Sequence, residues 1–126
     1  MEYQIENFMT KSPSTVSGYQ KLIYAETMME DLKIRHLPVI QDEELIGVLS
    51  LRDIRLVNAI DKEYQQIPVS EACVEDPILV QKDEDVREVA KTMLKKKIGS
   101  VLVMNKEKLV GIFTAIDALS LISKLK

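Results

Sequence analysis

The chain matches itself, without a gap, at an offset of 64 residues. Ten of the 45 positions from 13 to 57 are identical to the residue 64 positions later, where chance gives about three. At other equivalent positions both copies have an apolar residue, for example Leu49 and Phe113. The chain is therefore two copies of one structural unit. The identical pairs are Pro13/Pro77, Val16/Val80, Met29/Met93, Lys33/Lys97, Ile34/Ile98, Val39/Val103, Glu43/Glu107, Leu45/Leu109, Gly47/Gly111 and Asp53/Asp117.

Both copies predict the same order of elements. An extended piece follows a proline, "SPSTV" in copy one and "DPILV" in copy two, and an amphipathic helix comes next. Two apolar runs joined by a polar turn, "LPVI" to "LIGVL" and "VLVM" to "LVGIF", predict strand, turn and strand. A final helix opens at "SLRD" or "TAID". The apolar positions of the first helix of each copy, with methionines as core filler, are Leu22, Ala25, Met28, Met29 and Leu32, and Val86, Val89, Ala90, Met93 and Leu94.

Each copy has about 60 residues and three strands, which is too little apolar surface for a stable fold on its own. We therefore expect an α/β (α+β) fold in which the two copies pack on each other about a pseudo-twofold axis.

Two features recur inside the copies. Gly47 and Gly111 lie within the second apolar run, where a glycine weakens a strand unless another backbone approaches closely. Ser50 and Thr114 are natural N-caps of the final helices. An aspartate lies three residues after each, in the arrangement of a capping box.

Composition limits the function classes. The chain has 126 residues, 46% apolar and 29% charged, as an ordinary globular protein does. Its net charge is −3 and its pI about 5.2, which argues against nucleic-acid binding. The basic run that ends the helix of copy two, Lys95 to Lys97, suits the negative end of the helix dipole, although a local basic patch stays open.

The same data predict a cytoplasmic protein. No apolar run approaches the roughly 20 residues of a membrane span. The start, "MEYQIENF", lacks the basic region of a signal peptide. The single Cys73 cannot form an internal disulfide, which fits a reducing compartment.

Three segments carry a family resemblance: "IRHLPVI" and "LIGVLSLRD" in copy one, and "IGSVLVMNKEKLVGIFTAID" in copy two. With them the chain resembles a tandem pair of cystathionine β-synthase (CBS) domains from about Ile5 to Leu121. The resemblance implies a Bateman module of two β-α-β-β-α repeats, which we assign to residues 1–62 and 63–126. It also implies clefts between the repeats that bind a regulatory ligand such as AMP, ADP, ATP or S-adenosylmethionine, with no required cofactor. No metal-binding residue is predicted, and the sequence leaves open whether a metal accompanies the phosphates.

The family motif Gly-h-h-(Ser/Thr)-x-x-Asp, in which h is apolar, falls on Gly47, Ser50 and Asp53 and on the equivalent residues Gly111, Thr114 and Asp117. The resemblance implies that the aspartate accepts hydrogen bonds from ribose hydroxyls and that Ser or Thr lies near phosphate. A carboxylate suits this role because it only accepts, and a helix N-terminus favours an anion. The capping box alone also explains both aspartates, so both interpretations stay open.

Arg35 and His36 lie at the position where family members often carry phosphate-binding residues. Arg35 can hold a phosphate through two parallel bonds, and His36 adds a donor whose charge varies near neutral pH. Copy two has Gly99 and Ser100 instead, so we expect a single high-affinity site. A solvated corner between helix and strand is the alternative for this pair.

The resemblance also implies a base pocket. Its lining, through backbone groups, is carried over to Ser14, Thr15 and Val16 in copy one and to Ile78 and Leu79 in copy two. Pro38 of the "IRHLPV" segment is a further predicted ligand-binding residue. Ile78 and Leu79 can pack on a purine or belong to the core, and the sequence does not separate these two roles.

An enzyme is not expected. The only histidine and the only cysteine fall in different repeats, and neither metal-ligand spacing nor a P-loop is present. We expect a ligand sensor in which binding changes the angle between the repeats. We expect no attached catalytic or DNA-binding domain, so that an unknown effector protein would read the change.

A structural dimerisation module with vacant clefts is the alternative function. The last helix, "AIDALSLISKLK", has a band wider than one core stripe needs. "IRLVNAI" in copy one offers a matching surface, so a homodimer is expected under either function. The apolar residues of the band are Ala115, Ile116, Ala118, Leu119, Leu121, Ile122 and Leu125.

Overall fold

The computed structural model describes residues 3–124. Leu125 of the predicted apolar band therefore lies outside the described residues, as do the first two residues of the start. The chain divides into two compact units. The first unit is Ser14–Pro77, and the second unit comprises the described residues before Ser14 and after Pro77. The unit boundaries therefore differ from the repeat boundary that we placed between residues 62 and 63.

The described residues form eight strands and five α-helices. In chain order they are β1 (Thr10–Lys11), β2 (Val16–Ser17), α1 (Leu22–Leu32), β3 (His36–Gln41), β4 (Glu44–Ser50), α2 (Leu51–Ile60), α3 (Val69–Ala72), β5 (Val74–Glu75), β6 (Leu79–Gln81), α4 (Val86–Lys96), β7 (Ser100–Asn105), β8 (Lys108–Thr114) and α5 (Ala115–Ser123). Short 3₁₀ turns lie at Ile5–Asn7 and Tyr64–Gln66.

Both units have the same sheet topology. The first unit orders its strands β2-β3-β4-β5, and the second orders the equivalent strands β6-β7-β8-β1. The first pair in each is parallel and crosses over through α1 or α4, and the other pairs are antiparallel. The predicted mixed α/β fold of two β-α-β-β-α repeats is confirmed.

Each sheet gains its fourth strand from a segment distant in sequence from the rest of that sheet. In the second unit Ile5 N donates to the Glu84 carbonyl at 2.8 Å, and Val86 N donates to the Tyr3 carbonyl at 2.8 Å. In the first unit the equivalent bond runs from Leu22 N to the Ile67 carbonyl, also at 2.8 Å. Residues 3–11 thus occupy in the second unit the place that residues 67–75 occupy in the first.

The helices pack on their sheets through the predicted apolar stripes, with one exception in each copy. The innermost positions are buried: Leu22, Ala25 and Met29 on α1, and Val86, Val89 and Met93 on α4. The predictions for Leu32 and Leu94 are wrong, because these side chains are 50% and 79% exposed. They lie at the C-terminal ends of their helices, where the predicted stripe extends beyond the face that the sheet covers.

Both strand glycines lie where another segment approaches closely, and at Gly47 that segment approaches with its backbone, as predicted. A Cβ atom at Gly47 would collide with the Val74 carbonyl oxygen of β5 and lie 3.1 Å from Cys73 Sγ. At Gly111 the colliding group is the side chain of Met9. Both glycines therefore make room for the segment that completes the sheet.

No helix within residues 3–124 combines the length and the apolar character that crossing a bilayer requires.

Candidate functional site

The β3–β4 hairpin brings the predicted phosphate-binding residues to the start of α2. His36 pairs with Ser50 across the two strands. Leu51 N donates to the Arg35 carbonyl at 2.9 Å, which fixes the backbone before β3 beside the first residue of the helix. The Arg35 side chain is exposed, and His36 is half-buried. The structure therefore gathers Arg35, His36 and Ser50 at one end of the first sheet.

Asp53 completes this group and is half-buried. Ser50 N donates to Asp53 Oδ2 at 2.8 Å, and Asp53 N donates to Ser50 Oγ at 3.1 Å, so the predicted capping box is present. No other donor in the described part of the chain reaches the Asp53 carboxylate. A carboxylate has about four acceptor positions, so Asp53 keeps roughly three for an added group.

The second unit repeats this backbone arrangement without the cations. Ser100 pairs with Thr114, and Ala115 N donates to the Gly99 carbonyl at 3.0 Å. Asp117 and Thr114 form the second capping box, with Thr114 N donating to Asp117 Oδ2 at 2.9 Å and Asp117 N donating to Thr114 Oγ1 at 3.2 Å.

The two aspartates differ in how many acceptor positions are used. Asp117 Oδ2 also lies 3.2 Å from the hydroxyl of Thr114, and its Oδ1 accepts from the Thr10 hydroxyl at 3.0 Å. Three of about four acceptor positions are therefore used on Asp117, against one on Asp53. Thr10 was not among the residues predicted from the sequence. The first unit has Val74 at the equivalent position, which has no hydroxyl, and that difference was the available signal.

The predicted ligand-binding residues of β2 and β3 differ in how exposed their side chains are. Ser14 and Thr15 are exposed and precede β2, which runs parallel to β3 and so starts at the end where Arg35 lies. Val16 is buried in the core of the first unit, and Pro38 is also buried.

In the second unit the two predicted base-pocket residues face different surroundings. The Ile78 carbonyl accepts from Leu102 N at 3.0 Å, and the Ile78 side chain packs against the core. The Leu79 side chain is 50% exposed, so it is available to a ligand.

Cys73 lies in the first unit together with His36, whereas we expected these residues in different repeats. The thiol approaches the Ser70 carbonyl at 3.7 Å, and burial raises its pKa. A raised pKa lowers the thiolate fraction, so Cys73 is a poor nucleophile. Among the described residues no three Asp, Glu, His or Cys side chains gather closely enough to hold a metal ion.

Comparison with known proteins identifies one family. The CBS domain family matches at residues 5–59 and 69–124. A crystal structure of the CBS domain pair of protein MJ0100, in complex with 5′-methylthioadenosine and S-adenosyl-L-methionine, is 26% identical, and the match covers 98% of both chains with a TM-score of 0.87. A crystal structure of CBSX2 in complex with AMP is 25% identical, with 97% of both chains covered and a TM-score of 0.79.

Among curated proteins, an uncharacterized protein of Methanocaldococcus jannaschii is 39% identical over 88 residues, which is 68% of this chain. This chain spans about a quarter of the length of the first curated relatives that it matches, 28% and 23%.

Proposed function

Since the chain belongs to the CBS domain family and contains two such domains, we propose that it is a regulatory sensor of an adenosine nucleotide or another adenosyl compound. The observation that carries the proposal is the first unit's group of Asp53, Arg35 and His36 at the start of α2. A carboxylate with unused acceptor positions lies in the first turn of the helix whose first residue bonds to the Arg35 carbonyl and whose N-cap pairs with His36. The adenosyl ligands in the two related structures support this class of ligand.

Each residue of the group takes one part of the ligand. Asp53 accepts hydrogen bonds from both ribose hydroxyls, because its capping bond leaves Oδ1 available. Arg35 binds phosphate through its planar guanidinium, and His36 donates one further bond. Backbone N–H groups at the start of α2 also favour an anion. The exposed Ser14 and Thr15 line the base.

We assign one high-affinity site to each chain. Gly99 and Ser100 supply no charge in copy two, and Asp117 keeps about one acceptor position where a ribose diol needs two. We infer that the sensor acts as a homodimer and passes its state to a partner protein.

A dimerisation module without ligand is the second candidate. Its support is a stripe on α5 in which Ile116 is 63%, Leu119 59% and Ile122 60% exposed. Three neighbouring apolar side chains at this spacing favour a protein partner. The sensor also needs this interface, so the ligand experiment decides between the two functions.

The first test is the absorbance of the purified protein. The chain has no Trp and four Tyr, so a co-purified nucleotide raises the 260/280 nm ratio visibly. The second test is calorimetry with AMP, ADP, ATP, S-adenosylmethionine and adenosine. Heats that stay at the level of buffer for all five ligands would favour the dimerisation module.

A His36→Ala variant tests the phosphate assignment. We expect it to weaken ATP binding and to leave adenosine binding unchanged, because adenosine has no phosphate. An equal loss for both ligands would show that His36 does not contact phosphate.

A further inference from the structure

All but one of the arginines of this chain lie around the start of α2. Three of the four, Arg35, Arg52 and Arg55, belong to the segments "IRH" and "SLRDIR". The backbone brings the two segments together, because Leu51 N donates to the Arg35 carbonyl at 2.9 Å, and Arg52 and Arg55 are the second and fifth residues of α2. The unit that contains them has 12 acids and only six bases. A predominantly acidic unit thus concentrates its arginines at the end that carries Asp53.

These three guanidinium groups are available to an anion. All three side chains are exposed. Within the described part of the chain, none of the three forms an ion pair with a carboxylate. The fourth arginine, Arg87, differs in this respect, because Asp85 holds its guanidinium at 2.7 Å.

The side chains of Arg52 and Arg55 lean towards the start of the helix. In an α-helix each Cα–Cβ bond is tilted towards the N-terminus, and a long side chain covers the turn that precedes its own Cα. Arg52 therefore extends in front of the first turn of α2, and Arg55 covers the turn to which Arg52 belongs. Both add positive charge on the side where Arg35 lies.

The backbone at Arg52 offers a further donor. Among the first three N–H groups of α2, Leu51 N donates to the Arg35 carbonyl and Asp53 N donates to Ser50 Oγ. Arg52 N is the one of the three for which the described residues provide no acceptor. An unpaired N–H group at the start of a helix favours an anion, so the same residue presents both a backbone and a side-chain donor.

The equivalent helix of the second unit forms without these charges. The residues equivalent to Arg35, Arg52 and Arg55 are Gly99, Ile116 and Leu119. The capping box and the bond from the first helical N–H group are nevertheless the same in α5. The fold therefore does not require arginine at these positions, and the difference points to a ligand of the first unit.

We propose that Arg52 and Arg55 bind the second and third phosphates of a nucleotide, so that the site selects nucleoside di- and triphosphates over a monophosphate. The inference rests on the proposed function, in which Asp53 holds the ribose and Arg35 and His36 hold the first phosphate. A planar guanidinium suits a phosphate because it donates two parallel bonds. S-adenosylmethionine has a sulfonium and an ammonium group in place of phosphates, so three arginines disfavour it.

The test is calorimetry of the full chain with AMP, ATP and inorganic triphosphate, at constant salt and with EDTA present. Each exposed arginine contributes about fivefold, so we expect the wild type to bind ATP about 25-fold more tightly than AMP. Arg52→Ile, which introduces the residue of copy two, should raise Kd for ATP about fivefold and leave Kd for AMP within about twofold. In Arg52→Ile/Arg55→Leu the two nucleotides should bind about equally. Inorganic triphosphate should bind more weakly than ATP, because it lacks the ribose that Asp53 holds.

The matched control is Lys62→Leu, which removes one exposed positive charge from the same unit. Lys62 lies beyond the C-terminal end of α2, about 15 Å along the chain direction from its start, so Kd for ATP should stay within about twofold of wild type. Thermal unfolding should show that the arginine variants fold, since α5 has the same apolar residues at these positions.

Several results would overturn the inference. They are equal wild-type affinities for AMP and ATP, equal losses for both nucleotides in Arg52→Ile, and a loss in Lys62→Leu as large as that in Arg52→Ile. Inorganic triphosphate that binds as tightly as ATP would show an anion site without a nucleotide. Binding of AMP without a preference for ATP would contradict this inference alone, whereas absence of binding for AMP, ATP and adenosine together would contradict the proposed function.

Discussion

Asp53→Ala should weaken binding of the adenosyl ligand far more than Asp117→Ala. Hydrogen bonds to a charged group contribute about 1.5–3 kcal/mol each. Asp53 keeps roughly three acceptor positions and so can accept from both ribose hydroxyls. Loss of two such bonds costs at least about 3 kcal/mol, or roughly a 150-fold rise in Kd. Asp117 lies in the second unit, to which we assign no high-affinity site, so its loss should change Kd by less than about tenfold.

Each alanine variant is a control for the effect of the other on protein stability. Both aspartates close a capping box at the start of a helix, and removing a capping side chain costs about 0.5–2 kcal/mol. The melting temperature should therefore fall in both variants, whereas Kd should rise steeply only for Asp53→Ala.

Asp53→Asn separates the two roles of this residue further. The amide oxygen can still accept from Ser50 N and keep the cap, while the amide nitrogen replaces Oδ1 with a donor. We expect nearly wild-type stability with most of the binding lost. Calorimetry gives Kd and stoichiometry, and thermal unfolding gives stability. Equal losses for the two alanine variants, or a larger loss for Asp117→Ala, would refute the acceptor argument and the assignment to the first unit.

Three further predictions follow from contacts within the units. Thr10→Val removes the donor to Asp117 Oδ1 and so frees an acceptor position in the second unit. We therefore expect the calorimetric stoichiometry for adenosine to rise above one per chain. An unchanged stoichiometry would show that this bond does not limit binding in the second unit. Lys97→Gly should raise the free energy of unfolding in urea by about 0.5–1 kcal/mol, because residue 97 has a left-handed φ of 56° at the end of α4; a decrease would contradict this. Gly47→Ala should lower that free energy by about 1–3 kcal/mol, because the added Cβ meets the rigid Val74 carbonyl. Alanine at the equivalent glycine of copy two should cost less, because its Cβ meets only a flexible methionine side chain. Equal losses of unfolding free energy in the two variants would contradict this.

The order of elements could be read from the sequence because its signals are local or periodic. The buried positions of α1 and α4 follow helical spacing, and the capping boxes at Ser50 and Thr114 join residues three positions apart. The close approach at Gly47 was also predictable in kind, because a glycine inside a strand has few other causes. The approaching segment itself was not predictable.

By itself, therefore, the sequence determined the repeat, the two β-α-β-β-α units and the residues that start their last helices. Only the tertiary structure decided which edge segment completes each sheet, because a two-residue strand has almost no pattern of its own and is held by backbone bonds to a distant partner. That choice placed the hydroxyl of Thr10 on Asp117, 107 residues away, and left Asp53 without an equivalent bond. Two aspartates in the same sequence motif thus differ through a contact between residues that no local pattern connects.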